Sequence, residues 1–198
     1  MGERYVKPLD ARSAESQSGG PSFSLGSRMA RALWTLSWIL LARWTPPPMH
    51  GWRVAILRAF GARAGKGCRV HASARIWWPG NLELGDNVLI GPGARLYNQG
   101  DISIGSDCVI SQRAHLCAST HDVQDPHFQL VLRPVRIAKS CWIAAEAFVG
   151  PGVTMEEGSV LAARGALFED AEPFTIYRGN PAAKVRKREL RAAEASAT

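Results

Sequence analysis

Residues 84–96 read LGDNVLIGPGARL, with aliphatic side chains at Leu84, Ile90 and Leu96. An interval of six fits neither the 3.6-residue turn of an α-helix nor the two-residue alternation of a simple strand. The interval extends both ways. Upstream it passes through Val70, Ile76 and Leu82; downstream it continues at Ile102, then Ile104, Ile110 and Leu116, and resumes at Ile137, Ile143, Val149, Met155, Leu161 and Leu167. Four places after most of these stands a small or β-branched residue, as at Ala74, Val88, Ala94, Cys108, Ala114, Cys141, Ala147 and Val153. A hexad that supplies one short strand and one tight corner explains both features. Three hexads then close a triangular coil of about 18 residues, with aliphatic columns inside and coils stacked at about 4.8 Å. The expected fold is an all-β solenoid, stabilised coil on coil.

Departures from the period are informative. The register slips by two at Leu82–Leu84 and at Ile102–Ile104, which reads as corner bulges, and breaks between Leu116 and Ile137. Residues 122–136 (DVQDPHFQLVLRPVR) are expected to leave the coil as a protruding loop. Such a loop is either plain solvent-facing chain or the place where function gathers on a regular scaffold.

A solenoid needs its ends covered. The expected division is 1–22 disordered, 23–67 an N-terminal helical cap, 68–177 the β-helix and 178–198 a basic tail. In the cap, residues 27–44 read as an amphipathic helix with Ser27 as N-cap, Trp34, Trp38 and Leu41 on one stripe, and Pro46–Pro48 as its end. A second helix is expected over 50–60 through Trp52, Ile56 and Phe60, stopping at Gly61, and a short basic helix from Pro181. Four of the seven tryptophans lie between 34 and 52 among arginines, a composition that suits either a cover for the first coil or a peripheral membrane contact.

With 198 residues, 46% hydrophobic and 21% charged, the chain is sized for one packed domain rather than a disordered or multi-span one. The net charge of +7 is unevenly placed. Residues 1–67 carry ten Lys/Arg against three Asp/Glu, 68–177 eight against twelve, and 178–198 six against two. Positive charge in two terminal segments is not the basic stripe of a nucleic-acid surface, so no nucleic-acid partner is expected. Four cysteines without a CxxC pair, behind a polar Gly/Ser-rich N-terminus, fit reduced thiols in the cytoplasm. The apolar stretch Ala32 to Ala42 is eleven residues, where a membrane span needs about twenty.

None of the five histidines forms a compact ligand motif, and no metal site is expected within one chain. A metal shared between subunits would need His115 and His121, which end consecutive hexads. His121 closes the last regular hexad, immediately before the protruding loop. A neutral imidazole there can accept a proton from an alcohol, with Asp122 or another carboxylate fixing its tautomer.

The segments WRVAILRAFGARAGKGCRV (52–70), ARIWWPGNLELGDN (74–87), VISQRAHLCASTHD (109–122), CWIAAEAFVGPGVT (141–154) and YRGNPAAKV (177–185) resemble the left-handed β-helix acyltransferases, and among them the colanic-acid biosynthesis acetyltransferases. The resemblance covers about 22–188. It implies a left-handed parallel β-helix of hexapeptide repeats that forms a homotrimer and holds acetyl-CoA as co-substrate between neighbouring columns. His121 would be the general base for O-acetylation of a saccharide acceptor, with Asp122 beside it. Backbone amides of Ala145 and Ala163 would meet the pantetheine arm, and Gly179, Lys184 and Arg178 the nucleotide end, although Lys184 also reads as a solvated surface charge. Asn98 would touch the acceptor or bond its own corner, and Trp142 would line the acceptor site or pack at the interface. Glu169 stands where sugar acetyltransferases carry a lysine. Rival readings are a metal-dependent hydratase of the carbonic-anhydrase type and a non-catalytic trimeric scaffold or membrane-docking module.

Overall fold

A computed structural model describes residues 7–13 and 22–190. The body is a parallel β-solenoid of about six turns, left-handed, with two helices at its N-terminal end. Its first face stacks Arg63–Ala64, Leu82–Leu84, Ile102–Ile104, Val135–Ile137 and Thr154–Met155. The second stacks Arg69–Val70, Leu89–Ile90, Val109–Ile110, Trp142–Ile143, Val160–Leu161 and Thr175–Arg178. The third stacks Arg75–Ile76, Arg95–Tyr97, His115–Cys117, Phe148–Val149 and Ala166–Leu167. Every rung between these strands is parallel and in register, for example Ile90↔Ile110 and Ile143↔Leu161.

The hexad explains the interior. Ile90, Leu96, Ile110, Leu116, Ile143, Val149, Met155 and Leu161 have no exposed surface. Each such side chain contributes on the order of 1.5–3 kcal/mol through removal from water. The small residues stand at the corners, where Val88, Ala94, Cys108, Ala114 and Ala147 are equally buried. The residue before each takes a left-handed backbone, as at Asn87 (φ 57°), Asp107 (φ 60°) and Gly93 (φ 68°), which lets the chain turn within two residues.

The two-residue slips are not corner bulges. Leu82 and Leu84, like Ile102 and Ile104, lie on one three-residue strand with both ends inward and the middle residue outward. Period-two alternation operates inside the hexad frame there, and the early coils are correspondingly longer. The inserted loop also begins sooner and ends sooner than 122–136. Ser119–His121 and Leu130–Leu132 pair as an antiparallel hairpin, and Val135 is already back in the first face, fully buried.

Helix α1 spans Leu25–Leu41 and α2 spans His50–Ala59. Ser24, not Ser27, is the N-cap of α1, because its side chain accepts from the Ser27 amide, three places on. Trp34 and Trp38 face the first coil, donating their indole N–H groups to Ile76 O (2.9 Å) and Ala72 O (3.2 Å). Leu41 turns outward, as does Trp52 on α2, whose inward residues are Arg53, Val54, Ile56 and Leu57. The expected C-terminal helix is instead a strand, Ala183–Lys187, antiparallel to Thr175–Arg178. It covers the last sheet edge, and Arg188 pins it by donating to Ser140 O and Gly158 O. The expectation of disorder over 1–22 falls mostly outside the described residues. Within them, Ala11–Ser13 forms a 3-10 turn whose Ala11 amide donates to Gln129 Oε1 at 2.7 Å.

Candidate active site

His121 ends the first strand of the hairpin that leaves the prism at the edge between its third and first faces. Its ring is exposed. The Nδ1 atom lies 2.6 Å from the carbonyl oxygen of Phe128, across the base of the loop. A carbonyl only accepts, so Nδ1 carries the proton and Nε2 keeps its lone pair. The tautomer is therefore set by main chain. Asp122 does not set it: its carboxylate accepts from the Gln124 amide at 2.9 Å, closing a turn of its own. Where a carboxylate was expected on Nδ1, the main-chain oxygen of Phe128 stands instead.

Asn98 stands on the same edge one coil earlier, but is wholly buried. Its Oδ1 accepts from the amides of Trp77 and Trp78, and its Nδ2 donates to Trp78 O at 2.6 Å. The side chain holds the corner of the preceding coil and is closed off from solvent, which is the second of the two readings given for it above. Glu169 lies exposed on this edge too, following the third-face strand Ala166–Leu167.

A second constellation lies across the third face, at its edge with the second. Ile143, Leu161 and Tyr177 are in register on successive rungs, which places Ala145, Ala163 and Gly179 in one column two residues further on. The amide N–H groups of Ala145 and Ala163 donate to nothing among the described residues. Gly179 (φ 102°) bends the chain over the top of this column, and its carbonyl accepts from the Ala166 amide. Arg178 is exposed beside it, without an ion-pair partner among the described residues. Lys184 is not free: its Nζ lies 2.6 Å from Glu172 Oε2, which holds the lysine above its usual pKa and, with Lys187, the carboxyl below its own. Trp142 projects from the second face next to the column, with its indole N–H on Ser111 Oγ at 2.9 Å.

Thus the predicted donor residues meet one another but not His121, from which the full width of the third face separates them. The comparisons bear on what such a pair of edges is for. No family model matches the chain. Over 166 residues, 84% of this chain and 91% of the relative, it is 37% identical to the colanic acid biosynthesis acetyltransferase WcaF of Escherichia coli strain K12. The chain belongs to the hexapeptide-repeat acetyltransferases of the WcaF type. Solved structures share the fold. One is a hexapeptide-repeat acetyltransferase of Vibrio cholerae complexed with acetyl coenzyme A (TM-score 0.77, 19% identity, 92% of this chain and all of that one). Another is a maltose O-acetyltransferase of Clostridium difficile (TM-score 0.76, 22% identity, 84% and 90%).

Two features of this WcaF-type acetyltransferase were missed in the sequence. Arg113, Glu146 and Arg164 form a ladder up the edge that carries Ala145 and Ala163, with Glu146 at 2.7 Å from Arg164 and 3.4 Å from Arg113. Hydrogen bonding to Arg164, reinforced by its charge and by Arg113, holds the Glu146 carboxyl below its usual pKa. Each of the three precedes a buried small residue, so their stacking could have been read from the hexads. The Phe128 carbonyl could not, since no side-chain pattern marks a main-chain acceptor.

Proposed function

We propose that the protein is an O-acetyltransferase that moves acetyl from acetyl-CoA directly to a saccharide hydroxyl in polysaccharide synthesis. What supports this most is the bond from His121 Nδ1 to the Phe128 carbonyl, because it presents Nε2 as a proton acceptor on an exposed rim. The acceptor oxygen attacks the thioester carbonyl carbon, a C–O bond forms and the C–S bond breaks. The hydroxyl proton passes to His121 Nε2 and from there to the departing thiolate. Such acid–base help contributes on the order of 10²–10⁴ in rate, with positioning and oxyanion stabilisation adding the rest.

The Ala145–Ala163–Gly179 column suits the pantetheine arm, since its free amides are donors in a row. Arg178 is the cation left to meet the nucleotide phosphates, Lys184 being offset by Glu172. Base and donor column lie on different edges of one prism, so a complete site takes His121 from one copy and the column from the next. Such a head-to-tail contact must close into a ring or run on as a fibre, and a trimer is the ring proposed. Trp142 then borders the acceptor side of that cleft.

Acetyl-CoA turnover with a panel of glycans tests the reading. His121→Ala is expected to lose at least about 10² in rate while melting unchanged; an undiminished rate would remove His121 as the base.

A further inference from the structure

Helix α1 is apolar on both sides. Opposite its buried tryptophans, Leu25, Met29, Leu33, Leu36 and Leu40 form a continuous outward stripe, each between 53% and 69% exposed. A helix apolar all round is ordinarily covered on every side, and a stripe of this size on an otherwise mixed surface marks a contact. At its C-terminal end Trp44 and Trp52 add two exposed rings. Their indole N–H groups are already taken by Leu40 O and Leu41 O, so the rings present apolar surface.

The charge around the stripe selects its partner. Between Phe23 and Leu82 the chain has nine Arg/Lys and no Asp or Glu. Arg28 lies near the start of α1 and Arg43 two residues past its end. Arg43, Arg75 and Arg95 line a hollow of about 440 Å³ at its C-terminal end, and none pairs with a carboxylate among the described residues. Arg75 and Arg95 are direct neighbours in the ladder, a like-charge placement that repels unless an anion is near. A second copy docked stripe to stripe would bring these cations together with nothing to neutralise them. At 17 residues α1 is about 25 Å long, and no helix among the described residues is long and apolar enough to cross a membrane.

We propose that α1 lies in the plane of a bilayer carrying anionic phospholipid, with its leucine stripe and the rings of Trp44 and Trp52 in the acyl boundary and Arg28 and Arg43 at the headgroups. Apolar burial and cationic attraction act together in such helices, and the second is weakened by salt. One helix then has two roles on two faces: tryptophans seal the first coil, and leucines meet lipid. The inference is independent of acetyl transfer.

Flotation of the full chain with phosphatidylethanolamine vesicles containing phosphatidylglycerol, against phosphatidylcholine vesicles, tests it. The wild type is expected to float with the anionic vesicles and less so in high salt. A Leu33→Gln/Leu36→Gln/Leu40→Gln variant, altered only at exposed positions, is expected to melt as the wild type does and to lose at least about tenfold in the floated fraction. Wild type that stays in the dense fraction with both vesicles overturns the proposal, as does a variant that floats equally well. A variant whose mass in light scattering drops while wild type ignores vesicles would give the stripe to a second copy instead.

Discussion

At the scale of single residues, the donor site proposed for Ala163 allows a separation of binding from stability. Ala163 occupies the second place of a turn closed by Gly165 N–H to Ala162 O at 3.0 Å, with Arg164 left-handed (φ 57°) after it. Pro92 and Pro151 hold the same place in other corners, ahead of Gly93 and Gly152. Proline therefore fits the backbone at 163 and removes an N–H that bonds nothing among the described residues. Ala163→Pro is expected to keep or raise stability by about 0.4–1 kcal/mol. Its KM for acetyl-CoA should rise by roughly two- to tenfold, the worth of one hydrogen bond. Thermal unfolding and steady-state kinetics read the two effects separately, and an unchanged KM would remove this amide from the donor site. At the same scale Asn98 shows what a list of side chains conceals: its amide is equally able to bind a sugar or a neighbouring corner, and only burial decides.

Among elements, the joint between the helices and the first coil depends on one buried cation. Arg53 has no exposed surface and, among the described residues, no carboxylate partner. It donates to Val70 O at 2.6 Å, Thr45 Oγ1 at 2.7 Å, Pro46 O at 3.0 Å and Pro47 O at 2.7 Å, tying the proline turn after α1 to the first rung of the second face. A lysine has fewer donors and no planar fork. Arg53→Lys is expected to cost about 2 kcal/mol or more by leaving buried carbonyls unpaired. Urea unfolding would show this as a lower midpoint at unchanged slope, and a midpoint equal to wild type would mean the joint is held by packing alone. The helical period showed that α2 has an inward face. It did not show that an arginine lies on that face, because carbonyls turned inward by Pro46 and Pro47 carry no sequence mark.

For the whole molecule, the placement of His121 and the Ala145–Ala163–Gly179 column on different edges gives the proposed trimer a genetic consequence. His121→Ala and Ala163→Trp, the latter at an exposed corner, are each expected to be inactive alone. Co-expressed, they are expected to regain activity in about a quarter of the sites of randomly mixed trimers, where an intact His121 meets an intact column. No recovery would place both halves in one chain. Stability should also follow pH. Burial first, and then the charge of Arg95, keeps His115 below its ordinary value of 6.5; burial, His50 and Arg53 do the same to His71. The unfolded chain then binds more protons in the window beneath 6.5, so stability is complete above that pH and falls as acid is added through the window. Melting temperature measured from pH 7.5 downward is expected to decline below about 6.5, less steeply in His115→Asn; parallel curves for both would clear His115.

What the sequence determined by itself was the prism: a six-residue spacing of aliphatic and small residues buries every column when three hexads close a coil, so the solenoid, its interior and the approximate place of the inserted loop followed from spacing. Tertiary structure decided what spacing cannot encode. Whether Asn98 faces solvent, which oxygen holds the His121 ring, whether the tail after Pro181 coils or pairs, and that α1 is apolar on its outer side as well are settled by which groups meet across coils. Those encounters depend on main-chain atoms and on corners brought together from some twenty residues apart along the chain, as Asn98 and Trp78 are.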